Sequence, residues 1–170
     1  EHALCDILAA LASDLPAWNM HALAAVQGIS YRDPDTGVMV RTEDRDRNAT
    51  LDELPSPYLT GEFDHLHPSV WDRAYVIFET NRGCPYGCTF CDWGSSTLSR
   101  IRKFTQERVY DEMEWAAVRK LPSWVVADAN LGIMSRDVAT IEKMAELRGE
   151  HGAPVILGFN VAKNTTKHLT

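Results

Sequence analysis

The sequence predicts an α/β fold built around a parallel sheet. Apolar, strand-like runs cover 74–79, 123–129 and 154–161, and amphipathic, helix-like stretches at 105–120 and 135–150 separate them. Strands that alternate with helices pair in parallel, and such units build either an open doubly wound sheet or a (β/α)₈ barrel. In both architectures ligands bind at the carboxyl ends of the strands.

The two helix-like stretches carry start and stop signals. Thr105 is suited to cap the first helix, and apolar side chains recur along one side of it at Val109, Met113, Ala116 and Ala117. Ser135 or Asp137 stands near the start of the second helix, and Gly149 or Gly152 near its end. Both stretches therefore have the pattern of helices packed on a sheet.

The first part of the chain has a different organisation. Residues 2–13 carry apolar side chains at three- and four-residue spacing, which predicts one amphipathic helix. Segments 28–32 and 38–41 flank the turn-forming sequence DPDTG and predict a β-hairpin. Charge, proline and glycine dominate 42–70, so we expect a linker there.

Composition excludes some classes of protein. The chain has 170 residues and a formal net charge of −7, which disfavours nucleic acid or an anionic membrane as a partner. We expect the basic cluster Arg100, Arg102, Lys103 to be a solvated face. A signal peptide is not apparent, which favours the cytoplasm and reduced cysteines. Because the chain starts at Glu1 and ends at Thr170 just after a strand-like run, we expect a fragment.

The stretch ETNRGCPYGCTFCDWG, residues 79–94, contains three of the four cysteines. Cys84, Cys88 and Cys91 have the spacing C-x3-C-x2-C, and three thiolates can hold a [4Fe-4S] cluster that leaves one iron open. A zinc site is the first alternative, because this spacing also suits zinc. A thiol–disulfide pair of Cys88 and Cys91 is the second. Spacing favours the cluster and leaves the alternatives open.

Polar turns follow the next two strand-like runs. They are DANLG, residues 128–132, and NVAKN, residues 160–164. Because the carboxyl ends of parallel strands meet at one edge, we expect these turns and the cysteine loop to converge.

The sequence RGCPYGCTFCDWG resembles the signature of the radical S-adenosylmethionine (radical SAM) enzymes. The resemblance implies a partial TIM-like (β/α) barrel, of which this chain holds the first three strands. It also implies that Cys84, Cys88 and Cys91 ligate a [4Fe-4S] cluster and that Phe90 lies near the adenine. In that family the reduced cluster cleaves S-adenosylmethionine to a 5'-deoxyadenosyl radical, which abstracts hydrogen from a substrate.

The resemblance also implies cofactor contacts on the other turns. Asp128 and Asn130 occupy the position of the family's turn that receives the methionyl amino group, and a carboxylate suits an ammonium ion. The alternative is that both residues simply cap the following helix. Asn160 and Lys163 are the candidates at the rim after the third strand.

The order of helix, hairpin, LDELPSPYLTGEFD and cysteine loop resembles that of cobalamin-binding radical SAM enzymes. It implies that 1–27 is the tail of a Rossmann-like cobalamin-binding domain, 28–73 a hairpin and linker, and 74–170 a truncated radical SAM domain. The expected reaction is cobalamin-dependent C-methylation. Cyclisation, ring contraction or methylthiolation, and a non-catalytic zinc-stabilised binding module, are the alternatives. The expected partners are a small-molecule or peptide substrate and an electron donor such as flavodoxin or ferredoxin, and no catalytic side chain is identified.

Overall fold

The computed structural model describes residues 1–12, 18–47, 50–91 and 99–161. The chain forms two compact units, Glu1–Asn48 and Ala49–Thr170. This division lies inside the predicted linker, and the three predicted domain ranges stay predictions. None of the helices in the described ranges is both long enough and apolar enough to span a membrane.

The first unit contains the predicted helix and hairpin. Helix α1 is His2–Ala12, and strands β1 (Ser30–Arg32) and β2 (Met39–Arg41) pair antiparallel. A short 3-10 helix, Met20–Ala25, lies between α1 and β1 along the chain. The small core of this unit consists of four buried side chains: Leu11, Leu23, Val26 and Tyr31.

Asp33 organises the hairpin turn as the DPDTG pattern predicts. Its Oδ1 accepts hydrogen bonds from the Asp35 and Thr36 backbone N–H groups at 3.1 and 2.8 Å, and Gly37 follows with φ of +69°. These hydrogen bonds, those from Thr36 foremost, lower the pKa of the exposed Asp33 carboxyl.

The second unit is a three-stranded parallel sheet with helices as crossovers. Its strands are β3 (Val76–Phe78), β6 (Ser123–Leu131) and β7 (Ile156–Val161), in the order β3-β6-β7. Helices α2 (Gln106–Val118) and α3 (Arg136–His151) follow β3 and β6 along the chain. The parallel α/β prediction is confirmed, with β6 at the centre of the sheet.

Buried apolar side chains alternate along the strands, and the helices cover the face of the sheet on which these side chains lie. Val76 and Phe78 of β3 and Trp124 and Val126 of β6 are buried in the same core as the predicted apolar side of α2. The predicted cap of α2 is confirmed, because Thr105 Oγ1 accepts a hydrogen bond from the Arg108 backbone N–H at 3.4 Å. Gly152 ends α3 in the left-handed conformation.

Segment 50–73 is an integral part of the second unit. Leu51 is fully buried, and an aromatic cluster joins the segment to the sheet and to α2: Tyr58, Phe63, Trp71, Phe78 and Trp115. The Tyr58 hydroxyl donates to the Ile77 carbonyl at 2.8 Å and accepts from the Ile77 backbone N–H at 3.0 Å. Tyr58 therefore satisfies both backbone polar groups of Ile77 at that edge of β3.

A short ribbon closes the base of the cysteine loop. Strands β4 (Asn81–Arg82) and β5 (Arg102–Lys103) pair antiparallel on either side of it. The sequence predicts that Arg100, Arg102 and Lys103 form a solvated face, and this is confirmed for Arg100 and Lys103 but not for Arg102. Lys103 is exposed, but the backbone of Arg102 and Lys103 pairs with β4, and the Arg102 side chain is half-buried.

Candidate functional site

The cysteine loop follows the carboxyl end of β3 and carries three free cysteines. Cys84, Cys88 and Cys91 are free and partly buried. The Cys91 backbone N–H donates to the Cys88 carbonyl at 3.0 Å, which makes a tight turn between these two cysteines. The loop thus presents three soft sulfur donors over eight residues.

Gly83 allows the chain to enter the loop. Its φ is +112°, and a Cβ atom there would lie 2.7 Å from the Arg100 carbonyl oxygen. Next to it, Ser99 and Cys84 bind each other twice: the Ser99 N–H donates to the Cys84 carbonyl at 2.8 Å, and the Cys84 N–H to Ser99 Oγ at 3.2 Å. Only glycine fits this close approach of two backbone segments.

The donor set fits an iron–sulfur cluster. Three thiols from one glycine-containing loop are the ligands that such clusters use. Within the described ranges, no three His, Cys, Asp or Glu side chains lie close enough together to hold a metal ion. A cubane cluster binds each thiolate to a different iron, so it does not require the three sulfur atoms to converge on one point.

Asp128 is tied to the chain that enters the cysteine loop. It is 1% exposed, and its Oδ1 accepts from the backbone N–H groups of Thr80 and Asn81 at 2.8 and 3.2 Å. Its Oδ2 accepts from Thr80 Oγ1 at 2.5 Å and from Asn81 Nδ2 at 2.8 Å. We call these four hydrogen bonds the Asp128 latch. They fasten the end of β3 to β6 three residues before Gly83.

Burial governs the electrostatics of the latch. Desolvation raises the pKa of the Asp128 carboxyl, the hydrogen bonds from Thr80 and Asn81 oppose that rise, and the nearby charge of Asp137 adds to it. The carboxylate is therefore stabilised by donors rather than by a neighbouring cation.

Asn130 reaches the cysteine loop directly. Its Nδ2 donates to the Cys84 sulfur at 3.1 Å, and the residue is 9% exposed. Two of the predicted site residues, Cys84 and Asn130, are thus in contact. Asp128 holds the chain that leads from β3 to Cys84.

The helix-capping alternative for Asp128 and Asn130 is wrong. Both residues lie within β6, which runs on to Leu131, and the turn between β6 and α3 is held by Asp137. One Asp137 oxygen, Oδ2, accepts from the Gly132 and Met134 backbone N–H groups at 2.8 and 3.0 Å.

An irregularity in the register of β6 against β7 lies at these polar side chains. Val126 pairs with Phe159 and Leu131 with Val161, so β6 advances by five residues while β7 advances by two. The extra residues on β6 include Asp128 and Asn130.

Two further predicted site residues lie within the described ranges and are exposed. Phe90 is 75% exposed on the cysteine loop, and Asn160 is exposed on β7. Lys163 lies outside the described residues. Their predicted cofactor contacts, and the predicted role of Asp128 and Asn130 toward the methionyl amino group, stay predictions.

Sequence reasoning missed Thr80, Asn81 and Ser99. The available signal was a polar pair, Thr80 and Asn81, placed after an apolar strand and just before the glycine that opens the cysteine loop.

A second feature of this unit lies at the amino end of β6. It is a cavity of about 430 Å³ lined by residues that include Trp71, Arg119 and Leu121.

Similar proteins were found by sequence. The cobalamin-dependent radical SAM methyltransferase TokK of Streptomyces tokunonensis is 42% identical over 172 residues, which cover 99% of this chain and 24% of TokK. The 2-(S-pantetheinyl)-carbapenam-3-carboxylate methyltransferase of Streptantibioticus cattleyicolor is 40% identical over 147 residues, 85% of this chain and 21% of that enzyme. The chain thus spans less than a quarter of the length of these relatives. No family profile matches it.

Solved structures share the fold. The cobalamin-dependent S-adenosylmethionine radical enzyme OxsB, with aqua-cobalamin and S-adenosylmethionine bound, matches 92% of this chain and 21% of its own, with a TM-score of 0.59 at 22% identity. The radical S-adenosylmethionine methyltransferase TsrM of Kitasatospora setae, with cobalamin and a [4Fe-4S] cluster bound, matches 91% of this chain and 30% of its own, with a TM-score of 0.54 at 17% identity. By its sequence the chain is therefore homologous to about a quarter of TokK, a cobalamin-dependent radical SAM methyltransferase, and it shares its fold with parts of OxsB and TsrM.

Proposed function

We propose that this chain provides the [4Fe-4S] site of a cobalamin-dependent radical SAM C-methyltransferase. One observation carries the proposal: three free cysteines lie on a single loop at the carboxyl end of β3, and the neighbouring strand β6 bonds to that loop. The carboxyl ends of the strands are where barrels of this class bind their ligands. The three parallel strands are proposed to be the start of a partial TIM-like barrel.

The residues of the chain have separate parts in this function. Cys84, Cys88 and Cys91 would hold the cluster, which supplies the electron that cleaves S-adenosylmethionine. The Asp128 latch orients the loop that carries the thiols. Asn130 has both a donor nitrogen and an acceptor oxygen, so Oδ1 could receive the methionyl ammonium group while Nδ2 stays on the Cys84 sulfur.

The family resemblance suggests roles for further residues. Phe90 would contact the adenine, and Asn160 and Lys163 would contribute at the rim. Residues 1–27 would be the tail of the domain that binds cobalamin. The small-molecule or peptide substrate, the flavodoxin- or ferredoxin-like electron donor and the cytoplasmic location stay predictions.

The test uses the full-length protein after anaerobic reconstitution. We expect about four irons and four sulfides per chain, and release of 5'-deoxyadenosine when S-adenosylmethionine and a reductant are added. Cys88→Ala should abolish both the cluster and this release. Cys5→Ala is the matched control, because Cys5 is an exposed free cysteine in the first unit. Zinc in place of iron would instead support a zinc-stabilised binding module.

A further inference from the structure

Asn130 places a side-chain amide against one sulfur of the proposed cluster site. The Nδ2···Sγ distance to Cys84 is 3.1 Å, and both partners lie away from bulk solvent, with Asn130 9% exposed and Cys84 partly buried. Cys88 and Cys91 come four and seven residues later, on either side of the turn at Thr89 and Phe90. The contact therefore singles out Cys84 and joins it to β6.

The position of the Asn130 amide is fixed from both ends. Asp128, two residues earlier on the same strand, holds Thr80 and Asn81 through four hydrogen bonds. On the other side, the Ile133 backbone N–H donates to the Asn130 carbonyl at 3.3 Å. Because the latch fixes β6 against the chain just before Cys84, the Asn130 amide and the Cys84 sulfur are held at hydrogen-bond distance by the fold itself.

A hydrogen bond to a cysteine sulfur changes the energy of a cluster bound to it. The reduced cluster carries more negative charge on its sulfur atoms than the oxidised one, so an N–H donor stabilises the reduced form more. Removing that donor makes reduction harder and the midpoint potential more negative. The effect is largest where the donor is shielded from water, as Asn130 is.

We propose that Asn130 is a positioning residue that raises the reduction potential of the cluster through its hydrogen bond to the Cys84 sulfur. This inference rests on the proposed function, since it assumes that Cys84 is a cluster ligand. It goes beyond that function because it assigns to Asn130 a role toward the cluster itself, which is independent of any contact with S-adenosylmethionine.

The experiment is a redox titration of the reconstituted full-length protein in the absence of S-adenosylmethionine, followed by EPR. Asn130→Leu has nearly the shape of asparagine, has no donor and leaves no room for a substitute water. Gln106→Leu is the matched control, because Gln106 donates a comparable side-chain amide bond to Thr140 Oγ1 at 2.8 Å, away from the cysteines.

We expect Asn130→Leu to shift the midpoint to a more negative value and Gln106→Leu to leave it unchanged. Asn130→Ala, measured in the same way, decides the question if the leucine variant does not fold, and the expected shift has the same sign. An unchanged midpoint in a variant that binds four irons would overturn the inference. Failure of the wild-type protein to assemble a four-iron cluster would contradict the proposed function instead, so the two failures are distinguishable.

Discussion

The buried carboxylate of Asp128 accepts the backbone N–H of Thr80 at 2.8 Å across the junction of β6 and β3. The Thr80 hydroxyl also donates a hydrogen bond to the same carboxylate, and Asn81 donates two more. The chain enters the cysteine loop directly after these residues. The geometry of the proposed cluster ligands therefore depends on an acid that does not touch them.

Removing the latch should destabilise the fold and loosen the loop. Asp128→Ala leaves buried donors on Thr80 and Asn81 without an acceptor, and an orphaned buried donor costs about 1–3 kcal/mol. We expect the free energy of unfolding to fall by at least about 2 kcal/mol and the iron content after reconstitution to fall with it. Chemical denaturation and iron analysis measure the two effects.

Asp111→Asn is the control for this prediction. Asp111 is exposed on α2, and a surface change of this kind alters stability by no more than about 0.5 kcal/mol. Equal stability of the two variants would show that the latch has no structural role.

The latch also predicts a pH dependence of stability. Burial raises the pKa of Asp128 above its ordinary value of 3.8, so between 3.8 and the raised pKa the folded state holds a proton that the unfolded state has lost. The stabilisation from this group is complete below 3.8 and is lost as the pH rises through that window. The stability advantage of wild type over Asp128→Asn should therefore shrink with rising pH. Denaturant titrations across the window measure it, and an advantage that grows with pH contradicts the assignment.

Gly83 should not tolerate a side chain. A Cβ atom would meet the Arg100 carbonyl oxygen at 2.7 Å, in addition to the strain of a φ of +112°. We expect Gly83→Ala to cost more than the roughly 1–2 kcal/mol of backbone strain alone and to lower iron loading. Gly152→Ala separates the two causes, because Gly152 also has a positive φ, +79°, but nothing within 4 Å of its Cβ position. Similar losses in both variants would mean that the close contact with Arg100 is unimportant.

Tyr58 should protect the outer edge of β3. Tyr58→Phe removes the partner of both the N–H and the carbonyl of Ile77, which we expect to cost about 1–3 kcal/mol. Amide hydrogen exchange should speed up at Ile77, the residue that loses its acceptor. Tyr75→Phe is the control, since Tyr75 is 59% exposed. Unchanged exchange at Ile77 in the Tyr58 variant would refute the prediction.

Periodicity predicted the regular elements well because their burial follows a simple repeat. The stretch 105–120 was predicted to be helical, and α2 is Gln106–Val118 with Thr105 as its cap. The end of β6 was harder to predict. Asp128 and Asn130 have the composition of a turn, yet they lie in strand β6. Asp128 bonds there to Thr80 and Asn81, just before the cysteine loop, and Asn130 bonds to Cys84 on the loop.

Contacts between distant parts of the chain were not predictable from local pattern. Strands β4 and β5 have two residues each, too few to show a period. The edge of β3 at Ile77 is bonded by a tyrosine side chain from a segment that looks like a linker. For the candidate site, the spacing of the cysteines indicated the ligands, but the Asp128 latch depends on the register of β3 against β6.

The central claim is that Cys84, Cys88 and Cys91 hold a cluster with one iron open to S-adenosylmethionine. It is tested most directly by the EPR spectrum of the reduced, reconstituted full-length protein before and after S-adenosylmethionine is added. We expect a [4Fe-4S] signal that changes on addition of S-adenosylmethionine and is absent from Cys88→Ala. A signal that S-adenosylmethionine leaves unaltered, or a protein that takes up zinc and no iron, would contradict it.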